Sequence, residues 1–174
     1  MAHVTLILGG CRSGKSGYAL KTANAAPAAR RIFIATSVPF DEEMQARVQR
    51  HRAERGPQWL TVEAPLHLPE AIAEHAGADR VILADCLTLW VSNLLLELHD
   101  PAQVETRIRQ LVEVLQSGAG SLLLVTNEVG CGVVPENKLA RQFRDLAGAA
   151  HQAVAAVAER VVWVAAGIPL TLKP

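Results

Sequence analysis

Short apolar runs alternate along this chain with longer stretches in which polar and apolar positions follow a helical period. "HVTLIL" is continuously β-prone and ends in Gly-Gly, which predicts a buried strand entering a tight loop. A helix is expected from Ser16 to about Ala26, closed by Pro27. "RRIFIATS" predicts a second buried strand. "DEEMQARVQRHRAER" predicts an amphipathic helix with acids in its first turn and bases late, as the helix dipole favours, stopped by Gly56-Pro57. "QWLTVEA" alternates as a third strand, "LPEAIAEHA" is a short helix and "DRVILADC" a fourth strand. "LTLWVSNLLLELH" and "AQVETRIRQLVEVLQSG" read as helices, and "SLLLVTNEVG" as a fifth strand running into a glycine-rich loop. "NKLARQFRDLAGAAHQAVAAVAER" is a long helix, and "VVWVAAGIPLTLK" holds two final strands broken at Gly167-Ile168-Pro169. No repeat or linker interrupts the pattern.

Alternating apolar strands and helices predict an α/β fold, a mostly parallel sheet covered on both faces. Ligands of such sheets bind at the carboxyl ends of the strands. Gly9 to Ser16, Ala35 to Ser37, Asp85 and Asn127-Glu128 would then share one rim.

Composition narrows the partners. The 174 residues make one domain, 1–174. A formal net charge of +0 and 4% aromatics give no basic surface and little to stack bases on, which argues against nucleic acid. Anionic ligands must be caught by a few placed donors. Three cysteines without paired or metal-like spacing fit a reducing compartment. "MAHVTLILGG" lacks a basic leader, and "LTLWVSNLLLEL" is too short to span a bilayer, so the expectation is a soluble, cytoplasmic protein.

The chemistry starts at Gly9-Gly10-Cys11-Arg12-Ser13-Gly14-Lys15-Ser16, which fits G-x-x-x-x-G-K-[ST] after a strand and before a helix. Glycines let backbone N–H groups turn towards phosphate oxygens, and the helix N-terminus adds partial positive charge. Lys15 can reach the β- and γ-phosphates, and Ser16 can ligate Mg²⁺. Asp85, ending "RVILAD", either holds that Mg²⁺ or caps the helix that follows. Asn127-Glu128 fits a cap, a loop hydrogen bond or a substrate contact.

His51 stands among Arg47, Arg50, Arg52 and Arg55. The run fits a solvated basic helix end. The other reading is a neutral imidazole nucleophile, kept unprotonated by nearby guanidiniums that also neutralise a pentacoordinate phosphate. His67, His75, His99 and His151 show no metal-ligand pattern, and His3 reads as a strand-start residue.

Together, "GGCRSGKS", "IATS", "ARVQRHRAERGPQWLTVEAP", "ADCLTLWVSNLL" and "LVTNEVGCGVVPENKLARQFRDLAG" resemble the bifunctional adenosylcobinamide kinase/adenosylcobinamide-phosphate guanylyltransferase family of cobalamin biosynthesis. The resemblance runs in order over nearly the whole chain. It implies a P-loop NTPase domain close to the RecA type and a symmetric homo-oligomer, a trimer. It also implies two reactions. ATP or GTP first phosphorylates the aminopropanol hydroxyl of adenosylcobinamide. A histidine then takes GMP from GTP, releases pyrophosphate and passes GMP to adenosylcobinamide phosphate, giving adenosylcobinamide-GDP. On this sequence the guanylylated histidine falls on His51. The nucleotide contacts fall on Gly9 to Ser16, Ala35, Thr36, Ser37, Arg52, Ala53, Glu54, Arg55, Glu63 and Asp85.

The chain departs from the family pattern at Arg55-Gly56-Pro57, where Arg-Pro is common, and at His151, where Asn is usual, which puts any substrate hydrogen bond there in question. Relatives that perform only the guanylyl transfer leave a single-activity reading open. A plain small-molecule kinase would show no covalent nucleotide, and a RecA-like ATPase module would hydrolyse slowly until a partner accelerates it.

Overall fold

The computed structural model describes residues 2–38 and 55–174. Its elements are β1 (Ala2–Gly9), α1 (Lys15–Ala25), β2 (Arg30–Ala35), β3 (Trp59–Glu63) and α2 (Leu68–His75). They continue with β4 (Arg80–Asp85), α3 (Leu87–Leu98), α4 (Pro101–Ser117), β5 (Gly120–Asn127), α5 (Lys138–Val157), β6 (Arg160–Ala165) and β7 (Ile168–Lys173). The helix expected over "DEEMQARVQRHRAER" lies outside the described residues except for Arg55.

One sheet of seven strands runs in the order β3-β2-β4-β5-β1-β6-β7. Its first six strands are parallel, and β7 returns antiparallel to β6. Buried on both faces, the central strands carry uninterrupted apolar runs, and successive residues serve opposite cores. Val4, Leu6 and Leu8 of β1 join Ile82, Leu122 and Leu124 beneath α2 to α5. Ile7 points the other way, with Leu83, Leu123 and Val125, onto Ala19 and Ala23 of α1. Each fully buried aliphatic side chain contributes about 1.5–3 kcal/mol. Trp90 is wholly buried in the larger core. A buried indole needs a partner for its N–H, and here Nε1 donates to the Leu66 carbonyl over 3.0 Å.

Several ends differ from the sequence reading. β2 stops at Ala35, because Thr36 turns its hydroxyl to the backbone of Cys86. β5 stops at Asn127, where Glu128 folds its carboxylate back to accept from the N–H of Gly130. The last helix ends at Val157, not at Arg160, since Glu159 already donates its N–H to Val4 of β1. The final strands break at Ala166-Gly167, both at positive φ (51° and 79°), leaving Ile168 and Pro169 inside β7. Two consecutive left-handed residues match the twist of a two-residue hairpin, and an edge strand tolerates a proline. β7 leaves Ile168, Leu170 and Leu172 exposed at 70%, 59% and 57%.

Candidate functional site

The six parallel strands bring their carboxyl ends to one edge. Register fixes the neighbours there: Glu63 beside Ala35, Ala35 beside Asp85, and Asn127 beside Gly9. The predicted rim positions within the described residues therefore do meet.

Gly9 admits no side chain, because a Cβ there would lie 2.4 Å from Ser13 Oγ and 2.5 Å from the Val164 carbonyl oxygen. The loop crosses that close. Arg12 and Gly14 both take positive φ (53° and 91°), a backbone pattern that turns N–H groups into a concave nest. Gly14 is the N-cap of α1 and no side chain caps that end, so the first-turn N–H groups face the loop's interior. From behind, the hairpin turn supports the loop. The Gly167 N–H donates to the Ser13 carbonyl over 2.8 Å, and a Cβ on Gly14 would meet Gly167 Cα at 3.1 Å.

Lys15 is buried, with Nζ donating to the Gly10 carbonyl across the loop at 3.1 Å. Ser16 Oγ donates to Asp85 Oδ2 at 2.8 Å. The helix-cap reading of Asp85 does not survive. Cys86 is the N-cap of α3, its Sγ accepting the N–H of Leu89, and Asp85 is left to Ser16. Burial, and then the Asp85 charge, push the Cys86 thiol up to about 11, so it stays a neutral cap.

Asp85 is braced from its neighbours. The Cys86 N–H donates to Thr36 Oγ1 and Thr36 Oγ1 donates to the Cys86 carbonyl, each at 2.8 Å. Asn93 Nδ2 donates to the carbonyls of Thr36 (2.8 Å) and Pro65 (3.1 Å), tying α3 to the ends of β2 and β3. The Thr36 side chain is wholly buried, so its hydroxyl serves the rim by holding Cys86. Ala35 is buried, Ser37 half-buried and Glu63 exposed on the same edge. Asn93 escaped the sequence reading, although an amide inside the apolar run "LTLWVSNLLLEL" signals a buried polar tie.

Arg55 is buried at 6% exposure, with its guanidinium 3.5 Å from the Phe33 ring centroid and Nη2 3.5 Å from Thr61 Oγ1. Arg55, Phe33 and Leu83 line a cavity of about 60 Å³ together with Ser16, Gly17, Leu20 and Asp85. The sequence-predicted Arg55 thus stands at the Ser16–Asp85 pair. His51, Arg52, Ala53 and Glu54 lie outside the described residues.

His151 does not reach the surface to touch a substrate. It is 8% exposed and its Nε2 lies 2.7 Å from Thr126 Oγ1. Among the described residues, no helix is long and apolar enough to cross a membrane.

A profile described as cobinamide kinase / cobinamide phosphate guanyltransferase matches residues 5–172. The chain is 45% identical, over 97% of its length and 96% of the relative's, to the bifunctional adenosylcobalamin biosynthesis protein CobP of Pseudomonas aeruginosa. It is 41% identical to the CobU protein of the same description from Salmonella typhimurium, over 97% and 98% of the two chains. Among solved structures it is similar to the ATPase EscN of the enteropathogenic E. coli type III secretion system, with TM-score 0.61 and 12% identity. A second type III secretion ATPase gives TM-score 0.63 at 10% identity. This chain is covered over 94% and 97% but spans only 43% and 57% of those ATPases, a likeness of fold alone.

Proposed function

Since the chain belongs to the cobinamide kinase / cobinamide phosphate guanyltransferase family, we propose that its phosphate loop and His51 divide two successive reactions on adenosylcobinamide. The protein is an enzyme with both activities, a kinase and a guanylyltransferase of cobalamin biosynthesis.

In the first reaction the loop Gly9 to Ser16 holds ATP or GTP by its backbone N–H groups. Lys15 offsets charge on the β- and γ-phosphates as the aminopropanol hydroxyl attacks the γ-phosphorus. The direct Ser16–Asp85 bond, at 2.8 Å, carries the metal assignment. A hydroxyl and a carboxylate are the hard oxygen donors that Mg²⁺ takes, and they meet where the loop ends. Mg²⁺ bound there would neutralise charge on the phosphate oxygens. Thr36 and Asn93 keep Asp85 in place through Cys86.

In the second reaction His51 attacks the α-phosphorus of GTP, an N–P bond forms, and pyrophosphate leaves. A phosphate oxygen of adenosylcobinamide phosphate then attacks that phosphorus, the N–P bond breaks, and adenosylcobinamide-GDP departs. Arg52 to Arg55, Ala35, Ser37 and Glu63 belong to the nucleotide contacts, Thr36 supports them from behind through Cys86, and the place of Arg55 beside Asp85 supports its share.

A homo-oligomer, a trimer, fits the exposed apolar face of β7, which a second copy would cover. Three free cysteines fit a cytoplasmic location.

The test is the intact mass of the protein after incubation with GTP and Mg²⁺, together with phosphorylation of adenosylcobinamide by ATP. We expect a gain of one GMP and release of pyrophosphate. Phosphorylation without a covalent nucleotide would reduce the enzyme to a plain kinase, and labelling without phosphorylation to a guanylyltransferase.

A further inference from the structure

Behind the rim runs a buried polar chain that neither reaction above uses. Thr88, Thr126 and His151 are buried among apolar neighbours of α3, β5 and α5, where polar groups need partners. The backbone N–H of Asn127, which can only donate, gives to Thr88 Oγ1 over 2.7 Å. Thr88 Oγ1 lies 3.1 Å from Thr126 Oγ1, and Thr126 Oγ1 lies 2.7 Å from His151 Nε2. The other ring nitrogen, Nδ1, faces Glu128 Oε2 at 3.8 Å. The negative charge of Glu128 favours the tautomer with its proton on Nδ1, which makes Nε2 of the neutral ring the acceptor. Burial favours that neutral ring, holding the His151 pKa below its usual value, with Glu128 opposing. The chain then has one direction: Asn127 N–H to Thr88, Thr88 to Thr126, Thr126 to His151, and Nδ1–H towards Glu128.

Glu128 sits where this chain meets the phosphate loop. Its own N–H donates to the carbonyl of Gly9 over 3.1 Å, and its Oε1 accepts from the N–H of Gly130. Oε1 accepts from Gly130, and Oε2, 3.8 Å from His151 Nδ1, is oriented by that ring through charge, on a side chain 20% exposed. The other carboxylates at the strand ends are placed differently. Asp85 is bonded to Ser16, and Glu63 is exposed on the edge strand β3.

The two reactions differ in what they ask of a base. In the guanylyl transfer the attacking groups, an imidazole and a phosphate, need lose no proton. In the kinase step a neutral hydroxyl attacks, and its proton must go somewhere.

We propose that Glu128 is the general base of the phosphoryl transfer and that His151 is the residue that positions it. The proposal rests on the kinase reading above. The hydroxyl oxygen of adenosylcobinamide bonds to the γ-phosphorus. The bond from that phosphorus to the β,γ-bridging oxygen breaks, and its electron pair leaves with the nucleoside diphosphate. The hydroxyl proton passes to Glu128 Oε2 and then to solvent.

The test is the steady-state phosphorylation of adenosylcobinamide by ATP with Mg²⁺, alongside ATP affinity by calorimetry. The proteins are the unaltered enzyme, Glu128→Gln, His151→Ala, His151→Asn and the Glu128→Gln/His151→Ala pair. Gln keeps the acceptor for Gly130 but takes no proton, so kcat should fall about 10²–10⁴-fold while KM and ATP affinity hold within about threefold. His151→Ala should lower kcat by about tenfold alone and add little to Glu128→Gln, because both changes act on one group. His151→Asn, with one acceptor and one donor like the neutral ring, should recover most of the rate. If Glu128→Gln turns over within about threefold of the unaltered enzyme, the base is not Glu128, although the kinase reading stands. Loss of ATP affinity in that variant would reassign Glu128 to holding the loop through Gly9 and overturn the proposal. Independent, multiplying effects of the two substitutions would remove His151 from it. An unaltered enzyme that does not phosphorylate adenosylcobinamide at all would remove the kinase reading, and this proposal with it.

Discussion

Ser16 Oγ and Asp85 Oδ2 are joined by a 2.8 Å hydrogen bond that spans 69 positions of sequence, from the first turn of α1 to the end of β4. Asp85→Asn keeps the side chain's size and removes its charge. Mg²⁺ titrations of the kinase reaction should therefore shift to about tenfold higher metal or more if Asp85 holds the ion, since a hard divalent ion then loses an anionic oxygen donor. An unchanged Mg²⁺ midpoint would leave Asp85 a structural partner of Ser16 and nothing further.

Lys15 crosses the loop it belongs to, with Nζ on the Gly10 carbonyl. Lys15→Ala should lower phosphoryl transfer at least about 100-fold, because the ammonium that offsets charge on the transferred group is gone. Thermal melting should move little, since the flanking glycines and Ser13 set the loop's path. Near-normal turnover by a folded Lys15→Ala protein would take the loop out of the mechanism.

His51→Ala should not gain GMP when incubated with GTP, yet should still phosphorylate adenosylcobinamide. In the unaltered protein the linkage should be labile in acid and stable in base, as a phosphoramidate is and a serine or threonine ester is not. Mass spectrometry of the intact protein reads both. Labelling of His51→Ala at the unaltered protein's level would place the nucleophile elsewhere.

Cys11 is exposed within the phosphate loop, whereas Cys86 is buried with its thiol pushed up to about 11. Iodoacetamide at mildly alkaline pH should modify Cys11 and the exposed Cys131 and spare Cys86. ATP with Mg²⁺ should slow alkylation of Cys11 and not of Cys131. Peptide mapping with and without nucleotide decides it. Equal rates in both conditions would put the nucleotide somewhere other than this loop.

The folded-state pKa of His151 is depressed, chiefly by burial. The unfolded chain therefore takes up the proton first as pH falls. The contribution is fully present above about 6.5, and declines below it until the folded ring also protonates. Urea unfolding at neutral pH and near pH 5 should show a steeper acid loss in the unaltered protein than in His151→Asn, which has nothing to titrate. Parallel pH profiles would show that the ring's burial costs nothing on protonation.

How much of this could be read from the sequence follows from the range over which each feature is determined. Gly9 to Ser16 was legible because a phosphate loop is contiguous, its spacing set by bonded neighbours. The central strands were legible because burial on both faces leaves unbroken apolar runs such as "LIL" and "VILA". Strand ends were less so. Thr36 leaves β2 for Cys86, a residue 50 positions away, and nothing local announces it. Asp85 could also be read as a helix cap, a role that falls to Cys86 while Asp85 accepts from Ser16. Thr88, Thr126 and His151 were invisible as a group, because their meeting depends on how α3 and α5 pack against β5. The place of His51 relative to the loop lies outside the described residues.

The close fit of Gly14 against Gly167, with the Ser13 carbonyl accepting from the Gly167 N–H, bears on how such a site can be moved or rebuilt. An eight-residue motif grafted into a foreign strand–helix junction would carry its glycines and its lysine but leave behind the hairpin that presses on it. Protein engineers who fuse a tag or a reporter to this chain face the same contact from the other side. The last strand is not a spare tail to be trimmed or loaded, because its turn is the floor on which the phosphate loop stands.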